Sequence, residues 1–458
     1  MGRGRAKHKN IVGIAVVAVA LGVGPSLAQT PTSPVTGTIG LTTSVDIDTN
    51  PGLTATPNTR TTIAQKLSFA ITTENRNQLF EFSGGTDLRY DIQSGSTNSL
   101  SISDPNFLAR YTRDAGNSSL SAQANFRRGE ITTVFDIDPT MAVVLVSDDG
   151  TQTTAGADLQ VQLGKNAPLG LDFSLGHDFT EYSGTADPNL FDRRTTTAGI
   201  NTSLRFSPVT QGNFGINITD YSAEDVTTTN TQTTSYDFSV SHELRRALVI
   251  DVNLGYQTRD LTLSGVTTTN DGMRAGINLT QTLPNGDIFG GISLDQTGPA
   301  DRTSLTFGRS LTLPAGNLSA SITAADVAGT GLQVFGNANY TQSLADGSFN
   351  IDLGQSLSTN QNNQDILFTR FGIGYQQQVT SASDLNLSLN MSRSEDGGAG
   401  AAPTQNRATL AATFNRQLTP DWDMSVGYRH RLYSSSTSPQ ANSDTLFLTL
   451  TRNIQFGF

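Results

Sequence analysis

The chain has 458 residues and no cysteine, with 36% hydrophobic residues, 15% charged residues and a formal net charge of −11. Without cysteine there can be no disulfide scaffold, thiolate metal site or cysteine nucleophile. The charged fraction is below the roughly 25% of soluble globular proteins, while 22 Phe and 10 Tyr argue against a disordered chain.

Residues 1–28 predict a secretory signal peptide. Basic residues between Arg3 and Lys9 precede an apolar run at 11–23, and small residues at Ser26 and Ala28 suit a signal-peptidase site. The apolar run is too short to span a bilayer. Cleavage removes four positive charges and no acidic residue, which takes the net charge from −11 to −15. A chain this acidic is a poor ligand for nucleic acid.

Residues 29–458 predict β-strands throughout, because apolar and polar residues alternate and no stretch has the spacing of an amphipathic helix. In one example, Leu385, Leu387, Leu389 and Met391 alternate with Asn386, Ser388 and Asn390. A period of two places the apolar residues on one face of a sheet and the polar residues on the other.

Two classes of connection alternate along the chain. Short turns are predicted at 284–287, 314–317, 346–347 and 419–421, and longer polar loops at 222–234, 265–272, 359–364, 395–405 and 434–443. Tight turns alternating with longer loops are typical of transmembrane β-barrels, whose short turns are periplasmic and whose long loops are outside. The sequence therefore predicts an all-β fold with a single antiparallel transmembrane β-barrel.

The spacing of these segments predicts about 22 strands, with 20 and 24 as alternatives. Their approximate starts are residues 35, 60, 77, 105, 117, 151, 168, 194, 210, 232, 247, 268, 286, 302, 316, 331, 347, 364, 383, 405, 421 and 443. An even number places both termini on the periplasmic side. The segment 129–150 reads either as one long loop or as an extra hairpin, which would raise the count by two.

The last segment, TLFLTLTRNIQFGF, places Ile454, Phe456 and the terminal Phe458 on one face. This pattern resembles the C-terminal signature of Gram-negative outer-membrane proteins, which implies the barrel-assembly machinery as a partner. Arg452 has the same parity, where a charge costs about 2–4 kcal/mol at the membrane midplane. We therefore expect a bulge there, or shielding of Arg452 by a neighbour or partner.

The region from WDMSVGYRHRLYSSS to the C-terminus is similar to the beta-barrel porin 2 family. The resemblance implies an outer-membrane channel, embedded in outer-membrane lipid, for passive diffusion or export of small polar solutes or polysaccharide. One alternative is a non-conducting surface barrel that binds a partner through its outer loops. A third is an outer-membrane lipase-type enzyme.

No plug domain is expected, because the first strand begins within about ten residues of the predicted cleavage site. This argues against TonB-dependent transport, since large 22-stranded transporters carry a plug in the lumen. The insertion at 129–150 is unusually apolar for a solvated loop. One hypothesis is that it folds inward as a constriction loop, with Glu130, Asp136, Asp138, Asp148 and Asp149 as its charged residues. A hairpin extending above the membrane is the alternative.

Parity also assigns charged residues to the polar face, which lines the pore. The candidate pore-lining residues are Arg89, Arg110, Arg205, Arg274, Arg370, Arg429, Arg431, Asp172, Asp251 and Asp352. Most of these charges are expected to form solvated cross-strand pairs, so ion selectivity should be weak and set by local groups. Arg429 and Arg431, with Arg370, are the preferred contacts for an anion or a sugar.

The sequence carries no recognisable catalytic or metal-binding motif. The three histidines after the signal peptide, His177, His242 and His430, are not accompanied by HExxH, GxSxG or GKS/T motifs. His177 and His242 fall on apolar parity, which favours an interfacial position. We therefore expect no enzyme activity, no catalytic residue, no metal and no cofactor.

Overall fold

The computed structural model describes residues 35–93, 98–131, 134–136, 144–146, 150–185, 190–226, 228–298, 300–329, 331–359, 365–397, 404–436 and 438–457. The predicted signal peptide lies outside these ranges. Within them, no helix has the length and apolar character needed to cross a membrane.

The described chain forms strands joined by turns and loops. The first group is β1 (Val35–Asp48), β2 (Arg60–Asn75), β3 (Gln78–Gln93), β4 (Ser99–Asp114), β5 (Ser118–Glu130), β6 (Val134–Asp136), β7 (Val144–Val146), β8 (Thr151–Leu163), β9 (Leu169–Ser183), β10 (Arg193–Ser207), β11 (Thr210–Ala223) and β12 (Thr229–Arg245). The second group is β13 (Leu248–Leu263), β14 (Val266–Leu283), β15 (Gly286–Asp295), β16 (Arg302–Leu313), β17 (Gly316–Val327), β18 (Gly331–Leu344), β19 (Gly347–Thr359), β20 (Asp365–Thr380), β21 (Ser383–Asp396), β22 (Gln405–Thr419), β23 (Trp422–Ser435) and β24 (Ser438–Gly457).

Strands β1–β5 and β8–β24 form one antiparallel sheet of 22 strands, and β1 pairs with β24 to close it into a barrel. The predicted antiparallel barrel of about 22 strands is therefore confirmed. The short strands β6 and β7 pair only with each other, in a separate two-stranded sheet. Because β6 and β7 are not part of the wall, the wall has 22 strands rather than the alternative 20 or 24.

The two ends of the barrel differ in their connections. At one end, here called the turn end, two-residue turns such as 284–285, 314–315 and 420–421 join the strands. The opposite end, the loop end, carries longer connections such as 49–59 and 184–192. Thr36 pairs with Gly457, so β1 begins and β24 ends together at the turn end. The predicted alternation of short and long connections is met in part, because the loop end also carries a two-residue turn at 264–265, where a long loop was predicted. Most predicted strand starts agree with the observed ones to within one residue.

Three of the predicted polar loops are wrong in part, because much of each is strand. Residues 229–234 belong to β12, 266–272 to β14 and 438–443 to β24. The segments 229–234 and 266–272 are rich in Thr, a β-branched residue that favours extended backbone. Antiparallel hairpins pair their backbone groups whatever the polarity of the side chains, so the strands continue beyond the apolar band. Hydrophobic alternation could only detect the part of each strand that lies within that band.

Each wall strand has one apolar and one polar face. On the closing strands, Leu448 lies opposite Val426 of β23 and Val45 of β1, so the three side chains share a face. Large apolar residues remain exposed on this face around the wall, as at Leu175 (53% exposed) and Leu305 (61%). A continuous exposed apolar surface of this size fits a lipid environment, and the polar face then lines the lumen.

The closing pair β1–β24 also contains two residues of the C-terminal signature. Ile454 lies opposite Ile39, and Phe456 lies opposite Gly37. A β-carbon on Gly37 would stand 2.1 Å from the Phe456 ring, so the ring rests where any larger residue would carry its side chain. Phe458 lies outside the described residues. Recognition of this signature by assembly machinery stays a prediction.

Arg452 is shielded by a neighbour, one of the two expected outcomes. It lies directly opposite Trp422, and its guanidinium carbon is 5.7 Å from the centre of the Trp422 ring. The β23–β24 register shift lies elsewhere, between Tyr433 and Ser435. Trp422 begins β23 at the turn end, where a charge on the lipid face costs only about 0–1 kcal/mol. The aromatic ring and the interfacial depth together accommodate the charge.

Replacing Trp422 with Ala should lower the free energy of unfolding by about 1–2 kcal/mol, because the cation–π contact and apolar area are both lost. Trp422→Phe, which keeps an aromatic face, should lose less than half as much. Trp422 is the one tryptophan of the chain, so unfolding in urea is best followed by heat-modifiable gel migration. Equal losses for both variants would show that the ring does not shield Arg452.

Candidate functional site

The pairing register places all ten candidate pore-lining residues on the polar face. Arg429, for example, lies opposite Thr445, which in turn lies opposite Asp48, whereas Tyr428 lies opposite Leu446 on the apolar face. Arg370 likewise lies opposite Gly354 and Ser392. The register thus shows on which face of its strand each candidate residue lies. The role of each residue in a pore stays a prediction.

Asp48, the last residue of β1, is the acceptor in a compact network across the closing strands. Nη2 of Arg431 donates to it at 2.7 Å, and the hydroxyls of Ser443 and Thr445 donate at 2.5 and 3.0 Å. Both charged side chains are largely enclosed, with exposures of 14% for Asp48 and 12% for Arg431. The network joins β23, β24 and β1 on the lumen side of the closure.

A second network centres on Arg89 of β3. Its Nε lies 2.8 Å from Asp91, and its Nη1 lies 3.4 Å from Glu130 at the end of β5. Asp91 also accepts a 2.5 Å hydrogen bond from Thr62, and Arg60 lies 3.9 Å away. One arginine thus bridges two carboxylates from different strands.

The two networks meet at the loop end, because Asp48 and Arg60 are direct partners on β1 and β2. Together they form a continuous charged arc from β23 to β5. We define the charged arc by Arg431, Asp48, Arg60, Arg89, Asp91 and Glu130. Its three positive and three negative charges cancel, so the arc stiffens this rim rather than giving it a net field.

The seven candidate arginines divide into paired and unpaired groups. Arg89, Arg431, Arg274 and Arg110 lie within 4.0 Å of a carboxylate, the last two beside Asp237 (3.2 Å) and Glu81 (3.9 Å). Within the part of the chain that the structure describes, Arg205, Arg370 and Arg429 form no ion pair. Arg429 instead lies over the Phe447 ring, 5.9 Å from its centre. The unpaired group carries the positive charge available to a solute.

The three candidate aspartates have different partners. Asp172 accepts hydrogen bonds from Gln160 and Gln162, at 2.9 and 2.7 Å.

Asp352 accepts from Asn339 at 2.6 Å and from Asn350 at 3.4 Å. Asp251 has neither a hydrogen bond nor an ion pair with a described residue, so its carboxylate faces the lumen uncompensated.

The proposed constriction loop is only partly described. Glu130 is held by Arg89 and accepts from Ser101 at 3.3 Å, which ties it to the wall. Asp136 belongs to β6, and nothing is described of its side chain. Asp138, Asp148 and Asp149 lie outside the described residues. The inward constriction stays a prediction, to be checked by deleting 131–147 and measuring whether conductance rises.

Sequence reasoning missed part of the charged arc. Arg60 and Asp48 stand at strand ends, so neither was predicted as a lumen residue. Ser443, which donates to Asp48, was also missed because it lies in a segment predicted as a loop. Val45 and Ile47 are apolar, so the residues that alternate with them belong to the lumen face. Extending this alternation past the last apolar residue of the strand would have assigned Asp48 to the lumen. No sequence signal indicates that Arg431 is paired and Arg429 is not.

The histidines give no sign of hydrolase chemistry. His177 and His242 lie on the apolar face and hydrogen-bond to Thr196 and Thr210, each at 2.8 Å. His430 bonds to Asp444 at 2.7 Å, but the residue opposite it on β22 is Leu410 rather than a nucleophile. No group of three or more metal-ligating side chains is found among the described residues.

No protein-family profile and no curated protein matches this sequence. The resemblance to the beta-barrel porin 2 family therefore stays a prediction. Solved structures do match in fold, although their sequence identity to this chain is only 9–10%.

A variant of the ferric enterobactin receptor PfeA from Pseudomonas aeruginosa, in complex with enterobactin, aligns with 10% identity and a TM-score of 0.57, covering 91% of this chain and 81% of the receptor. The FrpB iron transporter from Neisseria meningitidis aligns with 9% identity and a TM-score of 0.59, covering 91% and 81%. The ferric-catecholate import receptor Fiu from E. coli K12 aligns with 10% identity and a TM-score of 0.58, covering 94% and 82%.

The chain thus shares the fold of these large β-barrels. The three named neighbours are receptors and transporters.

Proposed function

We propose that the protein is an outer-membrane channel through which small polar solutes pass passively or are exported. The observation that carries the proposal is the polar face of a closed 22-stranded wall, in which the backbone of each described wall strand pairs only with its two neighbours. Polar side chains on that face replace part of the hydration of a solute, while the apolar face dissolves in lipid.

We further propose that no plug fills the lumen. In the described ranges the one strand pair outside the wall is β6–β7, three residues in each strand, which is too small to occupy the interior of a 22-stranded barrel. Outer-membrane lipid would surround the apolar band, and the assembly machinery would read Ile454 and Phe456. Polysaccharide is the largest cargo that this proposal includes.

Planar-bilayer recording of the purified, refolded protein tests the proposal. An open lumen should give a stable, ohmic conductance, and proteoliposomes should swell in isotonic solutions of small neutral solutes. Heat-modifiable gel migration must first show that the barrel is folded. A folded barrel that neither conducts nor allows swelling would contradict the channel and favour the alternative of a surface barrel that binds a partner.

Uptake of a ferric siderophore is a second candidate, favoured by the names of the structural neighbours. Two of the three are receptors for ferric ligands and the third is an iron transporter. Calorimetric titration of the refolded protein with ferric enterobactin tests it. Saturable binding by a barrel that does not conduct would support this candidate and contradict a passive channel.

A further inference from the structure

Between β10 and β21, six asparagines on the lumen face lie directly opposite a glycine of a neighbouring strand and have no side-chain hydrogen bond to another described residue. We call them the asparagine belt, which consists of Asn201, Asn217, Asn253, Asn278, Asn337 and Asn390. Their partners are, in the same order, Gly215, Gly199, Gly276, Gly291, Gly354 and Gly372. The pairs recur from β10 to β21, over half of the wall, and thus form a repeated feature of the lumen.

The glycines make room for the amides. A β-carbon on the six partner glycines would stand between 2.0 Å (Gly291) and 3.4 Å (Gly372) from the amide oxygen of the opposite asparagine. Five of these distances are below 3.0 Å, so each of those amides occupies the space where a side chain would begin. The amides therefore lie over the backbone of the next strand instead of projecting across the lumen.

The belt lies at a similar depth on each of the six strands that carry it. Positions are counted along each strand with the residue nearest the turn end as the first. On this count Asn253 is the sixth residue of β13, Asn201 the seventh of β10 and Asn390 the eighth of β21. The other three are also sixth or eighth. A membrane strand spans about 9–11 residues, so the belt lies within the membrane, near its middle.

The belt amides differ from other lumen asparagines in their hydrogen bonding. None of the six forms a hydrogen bond with another described residue, although asparagines elsewhere on the same face do. Asn339 donates to Asp352 at 2.6 Å, and Asn386 donates to Asp384, also at 2.6 Å. Each belt amide thus lies along the lumen wall with two N–H donors and one carbonyl acceptor that no described residue uses.

We propose that the asparagine belt is a weak binding track for neutral, polyhydroxylated solutes, that is, saccharides. The inference rests on the proposed channel function and names its substrate class. A sugar hydroxyl both donates and accepts, so an amide satisfies it without a charge. Because each such bond has a small net free energy in water, a solute that exchanges between neighbouring amides is retained without being trapped.

Block of the ionic current by an added solute tests the track. The probes are a neutral gluco-oligosaccharide and a polyethylene glycol of similar size, which has ether oxygens but almost no hydroxyls. In the wild type the oligosaccharide should block at a lower concentration than the glycol. Changing Asn253, Asn278, Asn337 and Asn390 to Ala should raise the half-blocking oligosaccharide concentration about tenfold or more, since each lost bond is worth about two- to tenfold.

The matched control is Asn339→Ala with Asn386→Ala, which removes two asparagines of the same face whose amides are already bonded. This variant and the glycol should show wild-type block. Equal block by both probes in the wild type, or equal effects of the belt and control variants, would overturn the binding track while leaving the channel intact.

The same question can be asked without ionic current. Calorimetric titration of the refolded barrel with the oligosaccharide should show binding that weakens in the belt variant, and an absence of binding overturns the track. If the barrel does not conduct but still binds the sugar through the belt, the channel fails and the saccharide site stands.

The glycines provide a second, independent variant. A β-carbon on Gly215 would stand 2.3 Å from Oδ1 of Asn201 and would meet only side-chain atoms, so Gly215→Ala should displace the amide and weaken oligosaccharide block about two- to threefold. Gly290→Ala, where the nearest atom would be 3.5 Å away, is the control. No difference between the two variants would contradict the role of the glycines in placing the amides.

Discussion

Replacing Asp48 with Ala should lower the free energy of unfolding of the barrel by about 2–4 kcal/mol. The carboxylate accepts from Arg431, Ser443 and Thr445, and the variant leaves an enclosed guanidinium and two hydroxyls without that acceptor. The two hydroxyls lie on β24, which pairs with β1 where the barrel closes, and Arg431 lies on β23, the next strand. The loss should appear as a lower urea midpoint for conversion of the folded to the unfolded gel band.

Asp46→Ala is the matched control, since Asp46 lies two residues earlier on the same strand and face. Its recorded hydrogen bond is a 3.2 Å contact from Ser44, so the variant should lose less than about 1 kcal/mol. Asp48→Ala combined with Arg431→Ala should be more stable than Asp48→Ala alone, because the unpaired charge is removed. A double variant at least as unstable as the sum of the single variants would show that the pair does not stabilise the closure.

The barrel was largely predictable because its two requirements both appear in the sequence. A strand between lipid and water needs residues of alternating polarity, and segments such as 385–391 meet that need without interruption. Tight turns require Gly, Pro, Asn or Asp, which marked the start of β15 at Gly286 and of β17 at Gly316. Beyond the membrane neither requirement holds, and there the extent of β12, β14 and β24 was underestimated.

The lumen was predictable in its orientation but not in its pairing. Parity assigned Arg429 and Arg431 to the same face, and the register agrees. Whether either meets a carboxylate depends on β1, which is distant in sequence and becomes a neighbour only when the barrel closes. Asp48 reaches Arg431 across β24, whereas Arg429 lies over Phe447. Such long-range partners follow from strand order and shear, which a single strand does not encode.

Neutralising the unpaired arginines by Arg370→Gln with Arg429→Gln should shift the reversal potential in a salt gradient toward cation preference. Neither guanidinium has a carboxylate within 4.0 Å in the described chain, so both contribute their full charge to the lumen. The shift should be larger near 0.1 M salt than near 1 M, because the Debye length falls from about 10 Å to about 3 Å. Single-channel conductance should change little, since the wall remains intact.

Two further variants separate charge from chemistry. Arg393→Gln removes one positive charge from the opposite face of β21, where Arg393 pairs with Glu395, and should leave the reversal potential near that of the wild type. Arg370→Lys with Arg429→Lys keeps the charge and should restore the wild-type preference if the effect is electrostatic. If only arginine restores it, the planar guanidinium itself recognises the passing anion. A reversal potential that the glutamine variant leaves unchanged at low salt would mean that the paired residues and the loops, rather than Arg370 and Arg429, set the selectivity of the lumen.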